Sequence, residues 1–241
     1  MNNYKPSFLN SIPQVVKNII AINLILWLAT IVTPNFFAKW GINVDLTDIL
    51  GMHYWASNKF SPAQLVTYMF MHGGFNHIFF NMFALYMFGG SLEQMWGPKR
   101  FLFYYLVTGV GAGIIQQMFW TVEFHSAISE INSAISSFTT EAPALIAKKN
   151  LFLNSLITVG ASGSVFGLLL AFGWLFPEVR LMLLFFPIPI KARIFVLIYG
   201  VAELFLGVAR FSGDSVAHFA HLGGMLFGAV LIFFWKKNNR L

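Results

Sequence analysis

Six runs of apolar residues alternate with polar and small residues along the chain, at about 18–33, 74–92, 101–121, 160–176, 193–209 and 217–235. Most approach the ~20 residues that a helix needs to cross a hydrocarbon core of about 30 Å. The pattern therefore predicts six membrane-spanning helices in one all-α domain. An even number of spans returns both termini to the same side. On that side fall Lys5, Lys17, Lys99, Arg100, Arg180, Lys191, Arg193, Lys236, Lys237 and Arg240. The opposite side keeps Lys39, Lys59, Lys148, Lys149 and Arg210, so the positive-inside rule predicts cytoplasmic termini. The expected organisation is a short cytoplasmic tail at 1–17, a six-helix domain at 18–235 and a basic cytoplasmic tail at 236–241.

Two connections are long. Residues 34–73 contain amphipathic stretches such as NKFSPAQLVTYMFM, which suit the bilayer interface. Residues 122–150, with SAISEINSAISSF, suit an exposed surface helix. On the inner side EVRLMLLFFPIPIKAR carries Pro187 and Pro189, which break a helix and fit a buried turn. LFLNSLITVG, ahead of the fourth run, shows no polar face of helical period and reads as an irregular segment leading in.

Composition strengthens the membrane reading, because 57% of residues are hydrophobic and only 10% charged. The net charge of +6 gathers at the ends of apolar runs, which fits orientation in a bilayer and not nucleic-acid binding. Cysteine is absent, which excludes disulfides, thiolate metal sites and a cysteine nucleophile. The first run lacks a small-residue cleavage site and reads as a retained helix. A short chain without a transit peptide favours a bacterial inner membrane.

Candidate chemistry begins with GASGSVFG at 160–167, which sets Ser162 between glycines at the mouth of an apolar run. Chance alone produces Gly-x-Ser-Gly about 0.1 times in a chain of this composition, so the motif needs support. Depth supplies it. Ser162 to Phe176 is about 15 residues, or ~21 Å of helix, and His221 to Trp235 is about the same. Nucleophile and base candidates thus fall at one level of the membrane. A histidine inside a span is costly and marks a functional position. His221, Gly224 and Gly228 share one helix face, so the side carrying His221 can approach a neighbour closely, and Gly160 and Gly163 let the Ser162 backbone do the same. His218, one turn earlier, is the competing base but lacks that small-residue face. His77 and Asn81, at i and i+4 of the second run, are donors that an oxyanion requires; their alternative is interhelical hydrogen bonding. Ser164 points to another face. No carboxylate is evidently placed to orient the histidine, so a Ser–His dyad is expected. Glu203 is assigned to hydrogen bonding within the bundle, and Glu93 to anchoring the inner end of its own helix.

Taken together, GASG at 160–163, His77-Ile-Phe-Phe-Asn81 and AHLGGMLFG at 220–228 resemble the rhomboid family of intramembrane serine proteases, over nearly the whole chain. The resemblance implies a six-helix rhomboid bundle that hydrolyses peptide bonds in or near transmembrane segments of other proteins. Ser162 would be the nucleophile and His221 its base. His77, Asn81 and the Ser162 backbone N–H would form the oxyanion site, and Phe166 would pack on the imidazole. It also implies that 34–73 is a membrane-embedded L1 loop, that the fifth span is a lateral gate and that the loop from Arg210 to Asp214 caps a hydrated site. The implied partners are transmembrane protein substrates and the lipid bilayer, with no nucleic acid, no metal and no cofactor. Two rivals remain: a non-catalytic rhomboid-like protein that binds client helices, and a metal or proton transporter using His72, His77, His218 and His221.

Overall fold

The structure, a computed structural model, describes residues 12–137, 140–183, 186–209 and 216–238. The Arg210–Asp214 loop and the cations Lys5 and Arg240 lie outside the described residues. All six apolar runs are helical, in an all-α bundle with two small ribbons. Helix α1 (Gln14–Ala38) opens directly after Pro13, four positions inside the expected tail. Its first free N–H groups, on Val15 and Val16, donate to the two carboxylate oxygens of Glu93 at 2.9 and 2.8 Å. A buried anion at a helix N-terminus satisfies orphan donors and complements the positive end of the dipole. Glu93 therefore caps α1, and is not confined to anchoring its own helix.

A short α2 (Leu46–Leu50) follows, with Asp45 as N-cap accepting from the Thr47 and Asp48 N–H groups. Next come strand β1 (Met52–His53), α3 (Gln64–Thr67) and a 3₁₀ turn (Tyr68–Phe70). This connection is tightly hydrogen-bonded. Gln64 accepts from His53 N–H and donates to the Ile49 and Lys59 carbonyls, while Gln117 donates to His53 O and accepts from Trp55 N–H. Tyr68 and Met69 are fully buried, so the stretch assigned to the bilayer interface instead packs into the bundle. Tyr68 Oη donates to Gly109 O at 2.7 Å, which fixes it there.

The second run is α4 (Phe75–Ala84), a π turn (Leu85–Gly89) and α5 (Gly90–Trp96) in one rod. Gly97 at φ 77 reverses the chain in a conformation that disfavours side chains, and Pro98 opens the next helix. That helix, α6 (Pro98–Ser137), does not stop at 121 as the apolar pattern suggests. Its polar half stays helical, with Ser133, Ser136 and Ser137 returning their hydroxyls to carbonyls four residues back. Helix α7 (Ala142–Ser155) doubles back against it through Phe124 and Phe152, ring centroids 5.1 Å apart, so the expected surface helix is present as a hairpin. The stretch 151–160, expected to be irregular, is so only in part: residues 151–155 are the last of α7. Strand β2 (Ile157–Thr158) pairs antiparallel with β1, Met52 facing Thr158 and His53 facing Ile157.

Helix α8 (Ser162–Leu175) has 14 residues, about 21 Å by the helical rise, and so starts below the surface of a bilayer-thick bundle. The Pro187/Pro189 link is not a buried turn. It forms an antiparallel ribbon of β3 (Arg180–Leu183) and β4 (Phe186–Lys191), with Met182 and Ile188 exposed. Proline tolerates such a position because a two-stranded ribbon has free edges. Glu178 pairs with Lys191 at 2.6 Å and Arg193 at 3.1 Å beside it, and the Lys191 hydrogen bond holds that carboxyl below the usual range. Helices α9 (Ala192–Ala209) and α10 (His218–Lys237) are the last among the described residues, and α10 packs mainly on α6 and α8. Glycine makes that packing possible. A Cβ on Gly224 would run into the Gly163 carbonyl, one on Gly228 into the Tyr104 hydroxyl, and one on Gly163 into Ala112.

Candidate active site

Ser162 is the first residue of α8, and Ala161 ahead of it offers no side-chain cap. Among the α8 amides, the first intrahelical bond is Val165 N–H to Ala161 O, so those of Ser162, Gly163 and Ser164 have no partner within the helix. An anion finds there both hydrogen-bond donors and the positive end of the helix dipole. The backbone reaches this position through Gly160, at φ 130, whose N–H donates to Tyr68 O at 2.9 Å. Ser164 turns away, as its sequence position suggests, and donates to Tyr105 O at 2.7 Å.

Helix α10 brings His221 to the other side of Ser162. His221 Nε2 lies 2.8 Å from Ser162 Oγ, so the equal depths counted along the two helices place both groups in contact. Phe166, one turn into α8, stacks on the imidazole with centroids 4.2 Å apart and planes 7° from parallel. The back of the ring has a partner that the sequence did not reveal. His221 Nδ1 lies 2.9 Å from Glu203 Oε2, on α9. The same oxygen lies 2.6 Å from His218 Nδ1.

These contacts decide the tautomers. An ionised carboxylate only accepts hydrogen bonds, so both Nδ1 atoms carry protons. His221 Nε2 is then left with its lone pair directed at the Ser162 hydroxyl. Geometrically this is a Ser–His–carboxylate chain, and the expectation that no carboxylate is placed to orient the histidine is corrected: Glu203 does hydrogen-bond within the bundle, but to the back of His221. The three ligand-type atoms of Glu203, His218 and His221 all lie within 4.8 Å of one another, and all three residues are buried.

His77 and Asn81 approach from α4. Gly73 N–H reaches His77 Nδ1 at 3.4 Å, which leaves Nε2 as the proton-bearing nitrogen. Asn81 Nδ2 donates to His77 O at 2.9 Å and has a second N–H on the same nitrogen. A Cβ placed on Gly160 would sit 2.7 Å from His77 Nε2 and 3.6 Å from Ser162 Oγ. Gly160 thus keeps open a space between donor and hydroxyl. A cavity of about 1220 Å³ contains this space and also reaches Phe80 of α4, Phe195 and Tyr199 of α9, and Ala217 at the start of α10. The remaining sequence-selected glycines, Gly163, Gly224 and Gly228, are contacts between helices and not part of the cavity's polar wall, apart from Gly163 at its edge.

Comparison with protein-family models adds the deciding observation: the rhomboid domain matches residues 59–238. The chain belongs to the rhomboid family. Among its relatives is the rhomboid-like protein 11 of Arabidopsis thaliana chloroplasts, 30% identical over 184 residues, covering 72% of this chain and 52% of the relative. Rhomboid protein 1 of Saccharomyces cerevisiae mitochondria is 28% identical over 177 residues, covering 73% and 43%. A rhomboid relative of Bacillus subtilis is 27% identical over 159 residues, covering 64% and 58%. The chain spans about half the length of the curated relatives it matches. This rhomboid is an integral multi-pass membrane protein, in which helices α1, α6, α9 and α10 are each long and apolar enough to cross a bilayer.

Proposed function

We propose that this rhomboid is an intramembrane serine protease that cleaves peptide bonds in or near transmembrane segments of other membrane proteins. The contact between Ser162 Oγ and a His221 lone pair at 2.8 Å carries the reading. His221 takes the hydroxyl proton as Ser162 attacks the scissile carbonyl carbon. The imidazolium that forms keeps its Nδ1–H on Glu203, whose charge stabilises it and fixes the ring. The developing oxyanion occupies the space guarded by Gly160, where the Ser162 N–H at the helix terminus, His77 Nε2–H and Asn81 Nδ2–H converge. His221 then returns its proton to the leaving amine. Water, reaching the acyl-enzyme through the cavity, repeats the sequence and releases the second product.

A substrate helix enters this site sideways, between α4 and α9, whose aromatic residues line the cavity. The proposal includes cytoplasmic termini, supported by ten cations on one side against five on the other. Residence in a bacterial inner membrane is part of the same proposal. The test is cleavage of a model transmembrane substrate by purified protein in detergent, together with covalent labelling by a fluorophosphonate. Ser162→Ala and His221→Ala are expected to abolish cleavage, and Ser162→Ala to abolish labelling. Full cleavage by Ser162→Ala would refute the proposal, and a wild-type protein that takes no label would favour a non-catalytic role.

A further inference from the structure

His218 is not needed to make Ser162 nucleophilic, yet it lies buried against the same carboxylate oxygen as the base. We infer that Glu203, His218 and His221 form an inhibitory site for a divalent transition-metal ion of the Zn²⁺ type. The donor set is two imidazole Nδ1 atoms and one carboxylate oxygen, and a fourth position remains for water. Zinc takes this combination of three protein ligands in tetrahedral sites. His218 and His221 stand at i and i+3 on α10 and so project from one face, while Glu203 comes from α9 across the interface.

The fit requires little movement. Tetrahedral coordination at ~2.1 Å places donor atoms about 3.4 Å apart. Here the Nδ1–Oε2 separations are 2.6 and 2.9 Å, so side-chain rotations that open them by about 0.5–0.8 Å make room for the ion in place of two protons. The rings already stand edge to face, centroids 6.3 Å apart and planes at 86°. The three residues are each about 7% exposed, so the ion would be held in a dry environment where its attraction to Glu203 is weakly screened. Supply is from the cavity, which reaches His221 and Ala217 beside the cluster.

Occupancy switches the base off by a tautomer change. The metal takes the Nδ1 lone pair of His218, whose Nδ1 proton moves through water to its own Nε2. It takes that of His221 in the same way, and the proton formerly on Nδ1 of that ring moves through water to Nε2. The ring keeps one proton and stays neutral, but Nε2–H now donates toward Ser162 Oγ instead of accepting from it. Ser162 loses the group that receives its proton. The effect on catalysis rests on the protease reading, whereas binding of the ion does not.

Two experiments separate these parts. In the first, full-length Ser162→Ala protein in detergent is titrated with Co²⁺, and the visible bands of a four-coordinate ion are followed, with Zn²⁺ expected to displace it at one ion per chain. His218→Gln and Glu203→Gln, each checked for folding by its melting temperature, are expected to lose the bands. The exposed His125→Ala is expected to keep them. Absence of the bands in Ser162→Ala, or their persistence in both ligand variants, overturns the site. In the second, wild-type cleavage is measured in Zn²⁺ buffers. Inhibition reversed by a chelator is expected, with at least a tenfold higher inhibitory concentration in His218→Gln relative to its own metal-free rate. An unchanged inhibitory concentration in that variant overturns the inhibitory role. Co²⁺ bands in a protein that neither cleaves nor takes fluorophosphonate would leave the metal site standing and refute the protease proposal alone.

Discussion

Replacing Glu203 by Gln removes one formal charge from behind His221 and changes the volume of the side chain very little. In the protein the carboxylate meets the imidazole at 2.9 Å, with both residues almost wholly buried, so solvent screens the pair weakly. Imidazolium and carboxylate centres about 4 Å apart attract by ~4 kcal/mol at an effective dielectric of about 20. That value is a ceiling, because Gln still offers a carbonyl oxygen to Nδ1–H. A hydrogen bond involving a charged group contributes ~1.5–3 kcal/mol and a neutral one ~0.5–1.5, so the variant loses about 1–2 kcal/mol of imidazolium stabilisation. The imidazolium exists only after proton transfer, and the loss therefore falls on kcat, by roughly 5- to 30-fold. If the amide instead turns its NH₂ toward the ring, the wrong tautomer results and the loss approaches ~10⁴. The assay is steady-state cleavage of a transmembrane substrate in detergent, with melting temperature as the folding control. A folded Glu203→Gln protein whose kcat stays within twofold of wild type would refute the carboxylate's role and restore the dyad.

Two further perturbations probe the cradle around Ser162. Gly160→Ala forces a side chain onto φ 130 and puts a methyl 2.7 Å from His77 Nε2, so kcat should fall about 10²-fold or more, as when an oxyanion donor is lost; a variant with normal kcat would remove that space from the mechanism. His72, buried in the segment between the 3₁₀ turn and α4, has its pKa lowered to about 3 by desolvation, with the nearby His77 adding to the shift. Its folded value lies below that of the unfolded chain, so the unfolded state binds the extra proton between about pH 6.5 and 3, and stability is lost as pH falls through that window. Melting in detergent from pH 7.5 to 4.5 should show the decline, flattened in His72→Phe; an equal decline in both proteins would refute it.

Much of this arrangement was legible in residue order because membrane helices advance at a fixed rise. Counting residues from the inner ends of two helices set Ser162 and His221 at one depth, and their contact follows from that. Rotation about each helix axis is a different matter. Glu203 meets His221 because α9 turns that face toward α10, an angle fixed by packing between two helices and recorded in neither sequence alone. The same holds for the small residues: i, i+3 and i+7 spacing marked the Gly224 face, but not that its partner would be the Gly163 backbone. Where polar residues continue a helix, apolar patterning fails for a simpler reason. Beyond residue 121 α6 has left any bilayer-thick layer, and serines that return hydroxyls to their own helix keep it intact without an apolar face. The Pro187/Pro189 link misled in the opposite sense, since proline excludes helix but leaves a two-stranded ribbon open.

The pairing of β1 with β2 joins chain that is made early to chain that leads directly into Ser162. Two membrane passes and the surface hairpin lie within the loop it closes, while Glu203 and His221 come after it. During synthesis, therefore, the proposed nucleophile is made before its proposed base. A nascent chain that ends after α8 contains Ser162 but neither Glu203 nor His221, and so has nothing to take the hydroxyl proton. On the proposed mechanism, reactivity therefore waits for the last helix, and the order of translation would shield the neighbours of a newborn molecule.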